Sequence, residues 1–198
     1  TKYLLYNDVF AGMYDSTIDQ SERHIFTDAA KALRPYVNDP KWGYIFRKTK
    51  ALAEVMEYKF DLGVRTRKAY SEGDKKQLKY LAHTVYPLVI KRIKKFYKAQ
   101  REYWYLENMQ NGFEVEDVRF GGLIQRLENC RALLKEYCAG KIERLAELEQ
   151  KLDSNSFGAP HKSYLVNFSL MGRFLLLFFQ EFLYLRGRSY IAEFHRAL

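Results

Sequence analysis

Tyr6-Asn7-Asp8 sets a phenol and a carboxylate two residues apart within an apolar run. In an extended strand, alternate side chains leave from one face, so Tyr6 and Asp8 would both reach a single ligand. The spacing admits a second reading, in which Tyr6 is core and Asp8 caps a turn. Elsewhere the reactive side chains converge less. His24, His83, His161 and His195 have no metal partner at helical spacing. No Gly-x-Ser-x-Gly elbow appears, and Gly121-Gly122 lacks the Lys and further glycines of a phosphate loop. Cys130 and Cys138 are eight residues apart in a helical pattern, about 12 Å along one face, too far for a disulfide. No metal or cofactor is therefore assigned, and two unpaired thiols suit a reducing, cytoplasmic setting.

The 198 residues carry a formal charge of +9. Such a balance suits nucleic acid, a membrane surface, acidic glycans or a solvated lysine-rich face. Lys91, Lys94, Lys95 and Lys98 share one side of a helix, next to Phe96 and Tyr97, and the solvated face is the reading favoured. No helix-turn-helix, RNA-binding aromatic signature or zinc spacing points to nucleic acid. Tyr103-Trp104-Tyr105 would splay around a helix, which suits packing rather than a sugar platform.

The elements that must hold these groups are mostly helical. Hydrophobic residues make up 47% of the chain, enough for a sizeable core, while 11 Gly and 4 Pro leave room for long helices. Residues 3–14 read as a short buried strand entering a loop. Helices are expected over 21–33, with Pro35 as stop, and over 41–70, behind an Asp39-Pro40 cap. Gly63 weakens the middle of the second. A third, over 75–108, follows a turn at Ser71-Glu72-Gly73-Asp74 and should kink at Pro87. The clearest period runs through 115–152. Residues 153–162 read as a linker. The apolar stretch 174–179 is too short for a membrane span.

Two stretches, Leu4-Leu5-Tyr6-Asn7-Asp8-Val9-Phe10-Ala11-Gly12-Met13-Tyr14-Asp15 and Glu107-Asn108-Met109-Gln110-Asn111-Gly112-Phe113-Glu114-Val115-Glu116-Asp117-Val118-Arg119-Phe120-Gly121-Gly122-Leu123, carry a family likeness. Trp42-Gly43-Tyr44-Ile45-Phe46 and Leu62-Gly63-Val64-Arg65-Thr66-Arg67 support it. Together they resemble the bacterial exo-β-N-acetylhexosaminidases of glycoside hydrolase family 20, over residues 3 to about 152. There a catalytic (β/α)8 barrel is followed by an α-helical C-terminal domain.

The resemblance implies substrate-assisted chemistry: the sugar's acetamido oxygen attacks its own anomeric carbon. An adjacent Asp-Glu pair orients that group and serves as general acid, then base. This sequence has no Asp-Glu dipeptide; Glu116-Asp117 is in the reverse order, within the helical part. Tyr6 and Asp8 match the family's Tyr-x-Asp motif, in which Tyr bonds the acetamido oxygen and Asp accepts from sugar hydroxyls.

The expectation is a mainly α helical bundle with a short N-terminal barrel remnant. Residues 1–38 would end the barrel, 39–152 form the helical domain, and 153–198 be linker and apolar tail. The opening inside an apolar run, with no initiator Met, suits an excised fragment. Its partners would be the parent's barrel, an N-acetylhexosamine-ended glycan reached through that parent, or a second copy in a homodimer. Neither nucleic acid nor membrane is expected as a partner.

Overall fold

A computed structural model describes residues 2–150; the apolar stretch 174–179 and the expected linker and tail lie outside the described residues. Among the described residues there is no strand, and no helix is long and apolar enough to cross a membrane.

The order is α1 (Lys2–Tyr6), α2 (Arg23–Ala32), α3 (Gly43–Lys59), α4 (Leu62–Ser71), α5 (Lys75–Tyr80), a π-helical turn (Leu81–Val85), α6 (Tyr86–Glu107), α7 (Phe113–Cys138) and α8 (Ala146–Glu149). Helix α3 packs between α2 and α6, and α6 packs on α7. Val55, Met56, Leu62, Leu78, Leu81, Tyr86, Val89, Ile93, Leu127 and Leu134 form the driest part of the core. A hydroxyl pair inside it is satisfied: Thr66 Oγ1 lies 3.1 Å from Tyr86 Oη and donates to Leu62 O at 2.8 Å.

Each expected long helix is present but interrupted, and local chemistry explains where. Asp39 Oδ1 accepts from the Lys41 and Trp42 amides, so the Asp39-Pro40 cap closes a turn, and α3 starts at Gly43. A Cβ on Gly43 would lie 2.8 Å from Val37 O, so only glycine fits there. The expected helix 41–70 divides at Phe60 and Asp61, which lets Gly63 come against the loop carrying Val9 and Asp15. Asp74 caps α5 through the Gln77 amide at 2.9 Å, as the turn motif suggested.

The irregularity expected at Pro87 lies in the turn before it. Pro87 has no N–H to offer, and the chain widens into a π turn in which the Tyr86 amide reaches back to Leu81 O. The expected helix 115–152 stops at Cys138. Gly140, at φ 73°, lets the Lys141 amide bond Glu136 O and its own amide bond Tyr137 O, a Schellman closure. Leu145 and Leu148 remain buried beyond it, so the apolar period persists although the helix has ended.

The expected strand is the main correction. Residues 3–6 belong to α1, and Leu4 and Leu5 are buried from a helix. A continuous apolar run of this length fits a buried helix as well as a buried strand. Among the described residues no strand lies beside it to pair with, and a helical turn lets the run satisfy part of its backbone internally.

Candidate functional site

The site grows from the end of α1. Tyr6 is its last residue, and Asn7-Asp8 turns the chain into a loop that closes at Asp15. Asp8 organises the first bend: its Oδ1 accepts from the Phe10 and Ala11 amides, each at 2.8 Å. Asn7 organises the second, donating to Asp15 Oδ1 at 3.0 Å and accepting from the Tyr14 amide at 3.4 Å. The turn-capping reading of Asp8 is therefore realised.

Tyr6 and Asp8 nevertheless face one space. Both line a cavity of about 210 Å³, together with Asn7, Val9, Lys59, Gly122, Leu123, Arg126 and Leu127. Period-2 strand geometry does not bring them there; the helix end and the following bend do. The Tyr6 ring packs against Phe120 at 6.3 Å between centroids, and burial, with the Glu116 charge, pushes its hydroxyl up to about 12. Tyr6 therefore stays protonated near neutrality, as a hydrogen-bonding phenol.

Two cations frame the segment, and neither was anticipated from spacing. Arg126 of α7 reaches Asp8 from 118 residues away, Nε to Oδ2 at 2.6 Å and Nη2 to Oδ1 at 3.2 Å. Burial alone would raise the Asp8 pKa. Bonds from Arg126 and from the Ala11 and Phe10 amides, with the guanidinium charge, outweigh it and leave the carboxyl below its ordinary value. Arg126 also donates to both Glu147 oxygens, and its own pKa rises chiefly through the Asp8 and Glu147 bonds.

Lys59, the last residue of α3, is 2% exposed and donates to Asn7 O at 2.6 Å. Burial lowers its pKa to about 8 against the pull of Asp15 and Asp8. Asp15 is pushed upward by burial, although the Asn7 bond and the Arg67 and Lys59 charges oppose this. A charge on the apolar stripe, three and four residues after Met56 and Val55, was the sequence signal for Lys59. For Arg126 there was none.

Arg67 ties this loop to the far end of the unit. It donates to Phe10 O and, at 2.7 Å, to Leu148 O.

The other sequence candidates are occupied with packing or solvent. Lys91, Lys94, Lys95 and Lys98 are exposed, but Phe96 is core and Tyr97 packs on Phe113 and Phe120. Trp104 and Tyr105 both meet Phe113, and Tyr103 stacks on Tyr44. Glu116 pairs with Arg119, and Asp117 accepts from the Tyr97 hydroxyl; neither lines the cavity. Cys130 and Cys138 are free thiols.

No curated protein matches the chain. A family model does: that of the glycoside hydrolase 20C C-terminal domain matches residues 1–162. That span takes in both motif stretches and every residue of the cavity, so the chain belongs to the glycoside hydrolase 20C C-terminal domain family.

Proposed function

We propose that this chain is the C-terminal part of a bacterial β-N-acetylhexosaminidase. The whole enzyme removes terminal N-acetylglucosamine or N-acetylgalactosamine by substrate-assisted hydrolysis. The chain supplies structure: it packs on the barrel or mediates a dimer, and it presents Tyr6 and Asp8 to the sugar. The family match over residues 1–162 carries this reading, and the missing Asp-Glu dipeptide supports an acid pair housed elsewhere. Tyr6 and Asp8 suit their roles chemically, one a protonated phenol and the other an ionised acceptor on a shared cavity. Two free cysteines suit a cytoplasmic enzyme.

Acetamido dependence tests the proposal. The full-length protein should hydrolyse a nitrophenyl N-acetyl-β-glucosaminide and leave the plain β-glucoside, which lacks the internal nucleophile, essentially untouched. Equal rates on both substrates would refute it.

A further inference from the structure

Arg126 stands near the middle of α7, and its fork grips Asp8 through two nitrogens. A bidentate guanidinium fixes the plane of a carboxylate as well as its position. Arg126 is itself held from other sides: Glu147 accepts from both terminal nitrogens, and the Phe10 ring centroid lies 5.7 Å from the guanidinium carbon. The two oxygens of Asp8 are loaded unequally. Oδ1 accepts from Phe10, Ala11 and Arg126, whereas Oδ2 accepts from Arg126 Nε alone among the described residues. An ionised carboxylate oxygen offers two lone-pair directions, so Oδ2 keeps one for a ligand hydroxyl. One turn before Arg126, Gly122 also lines the cavity, and a Cβ built there would meet nothing within 4 Å. The wall beside the pair is thus left without a side chain.

We propose that Arg126 is a positioning residue for substrate binding, aiming Asp8 Oδ2 at a sugar hydroxyl, so that the helical domain sets part of the enzyme's affinity. This rests on the reading of Asp8 as a sugar contact. Arg126 acts through Asp8 and takes no part in bond breaking. Its loss should fall on KM, because a hydroxyl contact made equally in ground and transition states lowers KM without raising kcat.

The test uses the full-length protein with Asp8→Asn, Arg126→Met, Arg126→Lys and the double variant Asp8→Asn with Arg126→Met. Asp8→Asn and Arg126→Met should each raise KM by about tenfold and change kcat by less than about threefold. Arg126→Lys should recover only part of the affinity, since an ammonium keeps the charge without the fork. The double variant should be no worse than Asp8→Asn, because the two residues act as one unit.

A KM raised by Asp8→Asn and unmoved by Arg126→Met overturns the inference. Effects that multiply in the double variant overturn it too, as does a fall in kcat alone, which is the mark of lost folded enzyme. If Arg126→Met does not fold, the KM of Arg126→Lys decides: a wild-type value overturns the proposal. If Asp8→Asn itself leaves KM unchanged, the sugar-contact reading fails, and the inference falls with it.

Discussion

The Lys59 ammonium donates to the Asn7 carbonyl oxygen at 2.6 Å, joining the end of α3 to the segment between Tyr6 and Asp8 across 52 residues. A fully buried cation is retained when hydrogen bonds and opposite charge offset its lost hydration. Here Asn7 O provides the bond, and the carboxylates of Asp15 and then Asp8 provide the opposing charge. Lys59→Met should destabilise the chain by about 1–3 kcal/mol, because it leaves the buried Asn7 carbonyl without its donor and removes a positive charge that acts on the buried Asp15 carboxylate. Urea denaturation of the two proteins at pH 7 checks this.

The same residue predicts a pH dependence with a definite sign. Its folded pKa of about 8 lies below the ordinary 10.5, so between these values the unfolded chain binds more protons. Stability contributed by Lys59 therefore rises with pH across that window, as the fold sheds the cost of a buried charge. The wild-type stability minus that of Lys59→Met should increase from pH 8 to pH 9.5. Equilibrium unfolding at three pH values reads it, and the difference cancels the tyrosines that titrate nearby.

Asp8 should act in the opposite direction at low pH. Its folded pKa lies below 3.8, so its stabilisation is present above that ordinary value and is lost as pH falls through the folded one. Asp8→Asn should cost about 1–3 kcal/mol at pH 7, by breaking a charge-assisted fork while Glu147 still partners Arg126. That gap should narrow below pH 4. Thermal melts from pH 7 to pH 3 follow it.

Two glycines should respond oppositely to the same substitution. A Cβ at Gly63 would stand 3.0 Å from both carboxylate oxygens of Asp15 and 3.3 Å from Val9 O. Gly63→Ala should therefore destabilise by about 1–3 kcal/mol, despite alanine's better helix propensity. A Cβ at Gly121 would meet nothing within 4 Å. Gly121→Ala in the isolated chain should stabilise by about 0.5–1 kcal/mol. Paired chemical denaturation curves settle both signs.

Local signals were legible where their physics is local. The helical class, the Asp74 cap, the stop after Leu33 and the burial of Leu127, Cys130 and Leu134 follow from period and caps. Apolar spacing overstates the length of α7, because it continues through Gly140 to Leu145 and Leu148, where the chain has left the helix. Tyr3-Leu4-Leu5-Tyr6 fits a strand as well as a helix, because a short apolar run has no decisive period, and the structure takes the helix. At the site, Tyr6 and Asp8 stood out by spacing and likeness. Lys59 shows only as a charge on an apolar stripe, and Arg126 not at all, because partners 52 and 118 residues distant leave no mark in a window of sequence.

Hydrolysis by the isolated 198-residue chain is the most direct measure of whether the reacting carboxylates lie outside it. Assayed beside the full-length protein on a nitrophenyl N-acetyl-β-glucosaminide, the chain alone should release no nitrophenol above the buffer rate, and the full-length protein should turn over. Catalytic release by the folded chain by itself would contradict the account.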